Sequence, residues 1–161
     1  MEKTTVTYSS NTMIPCHDLR TGNIILVNNR LRKVVSITNS YTLTDHSTVG
    51  VESITNEEPE TYAVQAIEPV LLTGAILQQC NFVFYDYFKF WPLIGSGQLR
   101  TEMNIDLDFN ILDFMRRPII KKVSSLHQLQ NIYYMLHGTE LNFDVEAVAG
   151  AETPENLVIA N

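Results

Sequence analysis

Length, composition and charge limit what this chain can be before any motif is considered. It has 161 residues, of which 45% are hydrophobic and 18% charged, so we expect one compact domain or two very small ones. Eighteen Asp and Glu against eleven Lys and Arg give a formal net charge of -7, which excludes binding to nucleic acid or an anionic membrane through bulk charge. Two cysteines are too few for a disulfide framework, and we find no signal sequence or apolar run of membrane-spanning length. We therefore expect an intracellular protein without a membrane anchor.

Four regions follow one another along the chain. Residues 1–13 are polar and lack a periodic apolar face, which predicts an N-terminal arm. Residues 14–69 are predicted to form a barrel-like β unit, and residues 70–141 an α+β unit. Residues 142–161 form an acidic tail, because the chain has no Lys or Arg after Lys122. We expect this tail to project from the domain or to lie on a partner.

Short apolar stretches between turn residues predict five strands in the first unit. Asn28 and Asn29 separate the first two stretches, and Asn tolerates the positive φ of a tight hairpin turn. Strands this short and closely spaced are typical of a small SH3-like barrel or a strongly bent sheet. The predicted strands cover residues 22–27, 31–38, 41–44, 48–54 and 61–67.

The second unit is predicted to start with a short helix and an aromatic strand. Thr73 is the expected N-cap of a helix that runs through Cys80, and Asn81 follows where a left-handed cap is needed. Residues 82–91 hold seven aromatic side chains, and both faces of such a strand would be apolar. We therefore expect a central, covered strand there. Further strands are predicted at residues 98–107, 109–115 and 119–123.

The clearest helix in the sequence starts after Ser125. Gln128 lies three residues later and completes a capping box, and Gly138 is placed to end the helix. Apolar residues recur at helical spacing between them, at Leu126, Leu129, Ile132, Tyr133 and Leu136. The fold class predicted from these patterns is α+β, mostly β, with a barrel-like sheet followed by an antiparallel sheet that carries this C-terminal helix.

None of the candidate chemical motifs reaches the specificity of an active site. Cys16, His17 and Asp18 are adjacent, so on an extended segment they point in different directions, and no second metal-binding pair completes them. Residues 95–97 are Gly-Ser-Gly but no phosphate-loop Lys follows, which indicates a hairpin loop. We predict no catalytic residue, no cofactor and no metal, and hence a protein that is not an enzyme.

Three aspartates share one stretch of the predicted second sheet. Acids two residues apart on a strand share a face, so Asp106, Asp108 and Asp113 are candidates for an acid–base pair or for Mg²⁺ ligands. No His, Asn or Lys lies at a spacing that would complete such a site. The ordinary role of Asp beside turns is therefore the favoured interpretation.

Four basic residues lie within seven positions of the sequence, namely Arg116, Arg117, Lys121 and Lys122. Four cations near a sheet edge would suit a phosphate-bearing ligand such as a nucleotide or a nucleic acid. Basic residues and Pro118 on an edge strand are also an ordinary protection against edge-to-edge aggregation. We favour the second interpretation, because the chain as a whole is acidic.

The C-terminal helix carries a polar face without charges of the usual kind. Its members are His127, Gln130, Asn131, Tyr134 and His137. A solvated helix face is typically rich in Lys and Glu, whereas amide, imidazole and phenol groups are common at protein interfaces. This face is predicted either to contact another protein or second copy of the chain, or to be covered by the acidic tail.

The order of several motifs resembles that of an uncharacterised family of small proteins encoded by bacteriophages and prophages of Bacteroidota. The motifs are LRxGN at residues 19–23, IEPVLLT at 67–73, an aromatic segment, and LHQLQNIYYMLHGTEL at 126–141. The resemblance spans about residues 14–141. This chain departs from it at Gly74 and Ala75, where the relatives carry acids, and at Asn81, where they carry Gly.

The resemblance implies a viral origin and a fold, but it brings no activity that could be assigned to particular residues. We expect a non-enzymatic phage protein that acts by binding. The favoured role is that of an accessory protein in the host cytoplasm that captures a host factor or a defence signal. The alternative is a minor virion protein whose terminal arms are ordered by neighbours. A homo-oligomer, or a complex with a phage or host protein, is expected in either case.

Overall fold

The computed structural model describes residues 13–38, 47–53, 58–94 and 101–144, which form two antiparallel sheets and two helices. This architecture confirms the predicted fold class, α+β and mostly β. Four predicted features lie outside the described residues: most of the N-terminal arm, the strand at 41–44, the loop at 95–97 and the tail beyond residue 144.

The first sheet has five strands in the spatial order β4-β3-β2-β1-β5. Asn28 and Asn29 have φ values of 51° and 60° and form the predicted turn between β1 and β2. The sheet curls, because register shifts between Val34 and Ser36 and a 3₁₀ turn at Val64–Ala66 links β4 to β5. The strands are β1 at Ile24–Val27, β2 at Arg30–Thr38, β3 at Thr48–Ser53, β4 at Glu60–Ala63 and β5 at Ile67–Glu68.

Strand β1 belongs to both hydrophobic cores of the molecule. Ile25 and Val27 are buried in the core of the first sheet, whereas Ile24 is buried in the core of the second unit, with Leu26 packed against it. Successive side chains of a strand point to opposite faces, so an unbroken apolar run is needed where both faces are covered. The two predicted units are therefore packed on each other across β1.

Helix α1, Gly74–Gln79, has the ends that the sequence predicts. The Thr73 hydroxyl accepts a hydrogen bond from the Ile76 amide, and Asn81 has a φ of 66°. A side chain at Gly74 would place its Cβ 3.0 Å from the Trp91 ring. Glycine, despite its poor helix propensity, is explained here by this close approach.

The aromatic segment is a hairpin, so the prediction of one central strand across residues 82–91 is wrong. The chain turns at Asp86–Lys89, and the Tyr85 amide donates to the Phe90 carbonyl across the turn. Lys89 adopts a positive φ of 54° and pairs with Asp86. The aromatic residues indicate β structure correctly. The turn was not predicted, because the signal for it is only the pair Asp86 and Lys89, three residues apart within an otherwise aromatic segment.

The second sheet has four strands in the order β6-β7-β8-β9. Its strands are β6 at Phe90–Ile94, β7 at Thr101–Asp106, β8 at Ile111–Leu112 and β9 at Pro118–Ile120. Strand β8 is shorter than the predicted strand at 109–115, because turns that begin at Asp106 and Asp113 take up the residues on either side of it. The start of the strand predicted at 98–107 lies outside the described residues.

Helix α2, Leu126–His137, packs across the second unit, and Gly138 ends it with a φ of 70° as predicted. Leu126 and Leu129 are fully buried, but Leu136 is 58% exposed and so is not part of the buried stripe. The predicted capping box is displaced by one residue. Gln128 accepts hydrogen bonds from the amide and hydroxyl of Ser124, while the Ser125 side chain makes no capping bond.

Candidate functional site

The side-chain amide of Gln130 forms two hydrogen bonds with the backbone at the start of β1. Its Oε1 accepts a 2.9 Å hydrogen bond from the Ile24 amide, and its Nε2 donates to the Gly22 carbonyl at 3.4 Å. Strand β5 pairs with β1 only at Leu26 and Val27, so Ile24 has no strand beside it on that side. The Gln130 side chain, 2% exposed, satisfies the backbone there instead.

Asn131 extends the same contact by three further hydrogen bonds. Its Nδ2 donates to the Asp18 carbonyl at 2.7 Å, and its Oδ1 accepts from Asn23 Nδ2 at 2.9 Å and from Arg20 Nε at 3.2 Å. Asn23 is fully buried. Residues 19–23 and helix α2 are thus joined through amide groups whose hydrogen-bonding capacity is used within the chain.

Arg20 closes this cluster on its solvent side. Its guanidinium donates two hydrogen bonds to the Glu140 carboxylate and lies 4.2 Å from the centre of the Tyr134 ring. The hydrogen bond from Arg20 is the main reason that the pKa of Glu140 lies below its usual value. We call Arg20, Asn23, Gln130, Asn131 and Glu140 the polar clasp.

His127 is buried and His137 is exposed, although both lie on the predicted polar face of α2. Burial lowers the pKa of His127, opposed by the Asp18 carboxylate, and its Nδ1 has no hydrogen-bond partner among the described residues. The predicted face is therefore divided. Among the described residues, the segment at 18–24 contacts Gln130 and Asn131, while Tyr134 and His137 are at the surface.

The motif at residues 67–73 also contacts the start of α2. The Leu126 amide donates to the Val70 carbonyl, and the Leu72 amide donates to the Ser124 carbonyl, each at 2.9 Å. These bonds tie the segment at 67–73 to the start of the helix. The motifs at 19–23, 67–73 and 126–141, which are far apart in sequence, therefore contact one another in the fold. These contacts give the motifs a structural role and do not indicate a binding or catalytic site.

The four basic residues of the predicted cluster, Arg116, Arg117, Lys121 and Lys122, contact different neighbours. Arg117 pairs with Asp113, whereas Arg116 lies over the rings of Phe88 and Phe90 at 3.8 and 5.2 Å from their centres. Lys121 and Lys122 are exposed after β9. Strand β9 is at the edge of its sheet and contains Pro118, so the position required for edge protection is present.

Two of the three candidate aspartates form turns. Asp106 accepts from the amides of Asp108 and Asn110, and Asp113 accepts from those of Met115 and Arg117. The hydrogen bond from the Arg117 amide is the largest cause of the lowered pKa of Asp113. These carboxylates organise hairpin loops, the favoured interpretation of the sequence.

The thiol and imidazole candidates are not brought together. His17 is exposed in a 3₁₀ turn and Cys80 is fully buried, where desolvation raises its pKa to about 12. Across residues 13–38, 47–53, 58–94 and 101–144 no three His, Cys, Asp or Glu side chains cluster as metal ligands. Within the same ranges, neither helix is long and apolar enough to cross a bilayer.

An exposed aromatic surface is the feature that sequence reasoning missed. Tyr87 is 82% and Phe114 is 90% exposed, and Tyr85, Phe88 and Met115 are also at the surface. The Phe88 ring lies 4.7 Å from that of Tyr87 and 5.5 Å from that of Tyr85. The available signal was the pair Asp86 and Lys89, which marks the turn that lifts these rings out of the core.

Arg116 joins the two loops that carry these side chains. It lies in the loop Asp113–Arg117 with Phe114 and Met115, and it stacks on Phe88 in the loop that carries Tyr87. We call Tyr85, Tyr87, Phe88, Phe114, Met115 and Arg116 the aromatic–arginine surface. Aromatic residues, Met and Arg are the types enriched where proteins bind one another.

Comparison with family models, with curated proteins and with solved structures gave no match to this chain.

Proposed function

We propose that this chain is a non-enzymatic bacteriophage protein that binds another protein through the aromatic–arginine surface. The observation that carries the proposal is the exposure of Tyr87 and Phe114, at 82% and 90%, on loops joined by Arg116. Large apolar side chains gathered at one place on a surface mark interaction sites. The viral origin rests on the motifs of residues 19–23, 67–73 and 126–141.

The surface is suited to binding because both of its loops are closed by contacts within the chain. Asp113 fixes its loop through two backbone amides, and the Asp86–Lys89 pair closes the other loop. Side chains held in place before a partner arrives lose less conformational entropy on binding. An accessory role in the host cytoplasm, with a host protein as partner, is the form of the proposal we favour.

Site-specific photocrosslinking tests this proposal. A benzoylphenylalanine residue replaces Tyr87 in the full chain, which is produced in a Bacteroidota host and illuminated. We expect one discrete crosslinked protein from this position, and none from a matched chain with the same residue in place of exposed Thr61 on β4. Equal crosslinking from both positions, or none from position 87, would refute binding at this surface.

The alternative role in the virion makes a different prediction in the same experiment. A minor virion protein should be present in purified particles and should crosslink from position 87 to a particle protein. Mass spectrometry of the particles and of the crosslinked band therefore distinguishes the two roles.

Self-association has a separate candidate surface at the end of α2. Tyr134, Met135 and Leu136 are exposed at 41%, 79% and 58%. We propose that the chain associates with a second copy through this surface. Light scattering of the purified chain should then give a mass above that of the monomer, and a mass of 18.3 kDa at high concentration would contradict self-association.

A further inference from the structure

The ion pairs of this acidic chain leave some cations unpaired, and these are not evenly distributed. Five basic residues have a carboxylate within 4 Å: Arg20, Arg32, Lys33, Lys89 and Arg117. Among the described residues, no such ion pair is formed by Arg30, Arg116, Lys121 or Lys122. Three of these four lie in or just after the β8–β9 hairpin, and one of them, Arg116, contacts an exposed aromatic ring, that of Phe88.

Arg116 is presented so that it can bind an anion. Its guanidinium carbon lies 3.8 Å from the centre of the Phe88 ring, and among the described residues its guanidinium forms no ion pair. An arginine that contacts a ring face can still donate N–H groups to a carboxylate. Its backbone has a φ of 61°, a left-handed conformation that is unfavourable for Arg. Arg117, by contrast, is already bound to Asp113. Of the two neighbouring arginines, Arg116 is therefore the one available to a partner.

We propose that the aromatic–arginine surface binds an acidic protein segment, in which a carboxylate side chain stands next to aromatic or aliphatic residues. Arg116 pairs with the carboxylate, and Tyr87, Phe88 and Phe114 contact the apolar neighbours. Arginine recognises carboxylates with two parallel hydrogen bonds, which supplies direction as well as charge complementarity. This inference rests on the proposed function and adds the chemistry of the partner to it.

A protein segment suits this surface better than single-stranded nucleic acid does. Stacking sites for bases follow a continuous basic groove, whereas here the acidic Asp86 is exposed in the loop that carries Tyr87 and Phe88. Leu107, Met115 and Ile119 are also exposed, and aliphatic side chains offer no ring for a base to stack on.

A random peptide selection tests the inference. A library of random dodecapeptides is selected against the immobilised full chain, and the enriched sequences are read. We expect enriched peptides to carry Asp or Glu next to Phe, Tyr, Trp or Leu, and to bind at least about tenfold more weakly to Arg116→Gln. Arg30→Gln is the matched control, because it removes an equally unpaired surface charge from the β1–β2 hairpin and should leave binding unchanged.

The other outcomes each overturn the inference. Enrichment of basic or purely apolar peptides, or equal loss of binding in both variants, would remove the role of Arg116. Arg116-dependent binding of a fluorescent twelve-nucleotide oligothymidine, with no acidic peptide enriched, would assign the surface to nucleic acid instead. A specific crosslink at position 87 together with any of these results would leave the proposed function standing and reject only this partner chemistry.

Discussion

Gln130 takes the place of a neighbouring strand at the first residue of β1. Its amide accepts the hydrogen bond of the Ile24 N–H at a point where β5 has already ended. A polar side chain that satisfies a buried backbone group stabilises the fold more by preventing an unmet hydrogen bond than by its own attraction. Single residues of the polar clasp should therefore matter for stability.

The first prediction concerns this side chain. Gln130→Ala leaves the Ile24 N–H without an acceptor, so we expect the free energy of unfolding to fall by about 1–3 kcal/mol. Gln78→Ala is the control, since Gln78 is exposed on α1 and should change stability by no more than about 0.5 kcal/mol. Urea denaturation measures both. Similar midpoints for the two variants would show that the clasp contributes nothing to folding.

The second prediction uses the buried imidazole. Burial lowers the pKa of His127 below its ordinary value of 6.5, so below that pH the unfolded chain binds a proton that the folded chain resists. Stability should therefore fall from pH 7 to pH 5. His127→Leu should weaken this fall, and exposed His137→Leu should keep it. Wild-type stability that is the same at pH 5 and pH 7 would contradict the assignment.

Loops of the second sheet depend on residues other than glycine in the left-handed conformation. Phe109, Arg116 and Lys122 have φ values of 59°, 61° and 55°. Two of these loops have three residues and are closed by an Asp carboxylate, a known hairpin form whose last loop position usually favours Gly or Asn. Each loop therefore has an energetically unfavourable backbone conformation at the residue with the positive φ.

The third prediction compares adjacent residues that differ in backbone conformation. Lys122 has a positive φ and Lys121 does not. Lys122→Gly should stabilise the fold by up to about 1 kcal/mol by removing strain, whereas Lys121→Gly should destabilise it by about 0.5–1 kcal/mol through backbone entropy. Thermal unfolding measures both changes. Equal effects would show that the loop is not strained.

Much of the fold was predictable from local signals, and the functional surface was not. Asn28, Asn81 and Gly138 mark left-handed positions in the sequence, and the structure confirms all three. Phe109 and Arg116 occupy the same conformation without such a mark, because tertiary contacts and Asp carboxylates hold them there. Two members of the predicted polar face of α2, His127 and Gln130, are buried, and the hydrogen-bond partner of Gln130 is more than a hundred residues away in sequence.

At the scale of the whole molecule, the contacts that join the two cores and the proposed binding surface involve different residues. The motifs that carry the resemblance meet in the polar clasp and at the start of α2, where they join two cores. Of the proposed binding surface, Phe114, Met115 and Arg116 lie outside the motifs, whereas Tyr85, Tyr87 and Phe88 belong to the aromatic segment of the resemblance.

The most direct test of this division is the crosslinking yield from position 87 in two variants. Asn131→Ala removes three hydrogen bonds of the clasp, and Arg116→Gln removes the surface guanidinium. Under conditions where circular dichroism shows both variants folded, we expect Asn131→Ala to crosslink as the wild type does, despite its lower stability. Arg116→Gln should unfold like the wild type but lose most of the crosslink. The reverse pattern, with the crosslink lost in Asn131→Ala and retained in Arg116→Gln, would contradict the account.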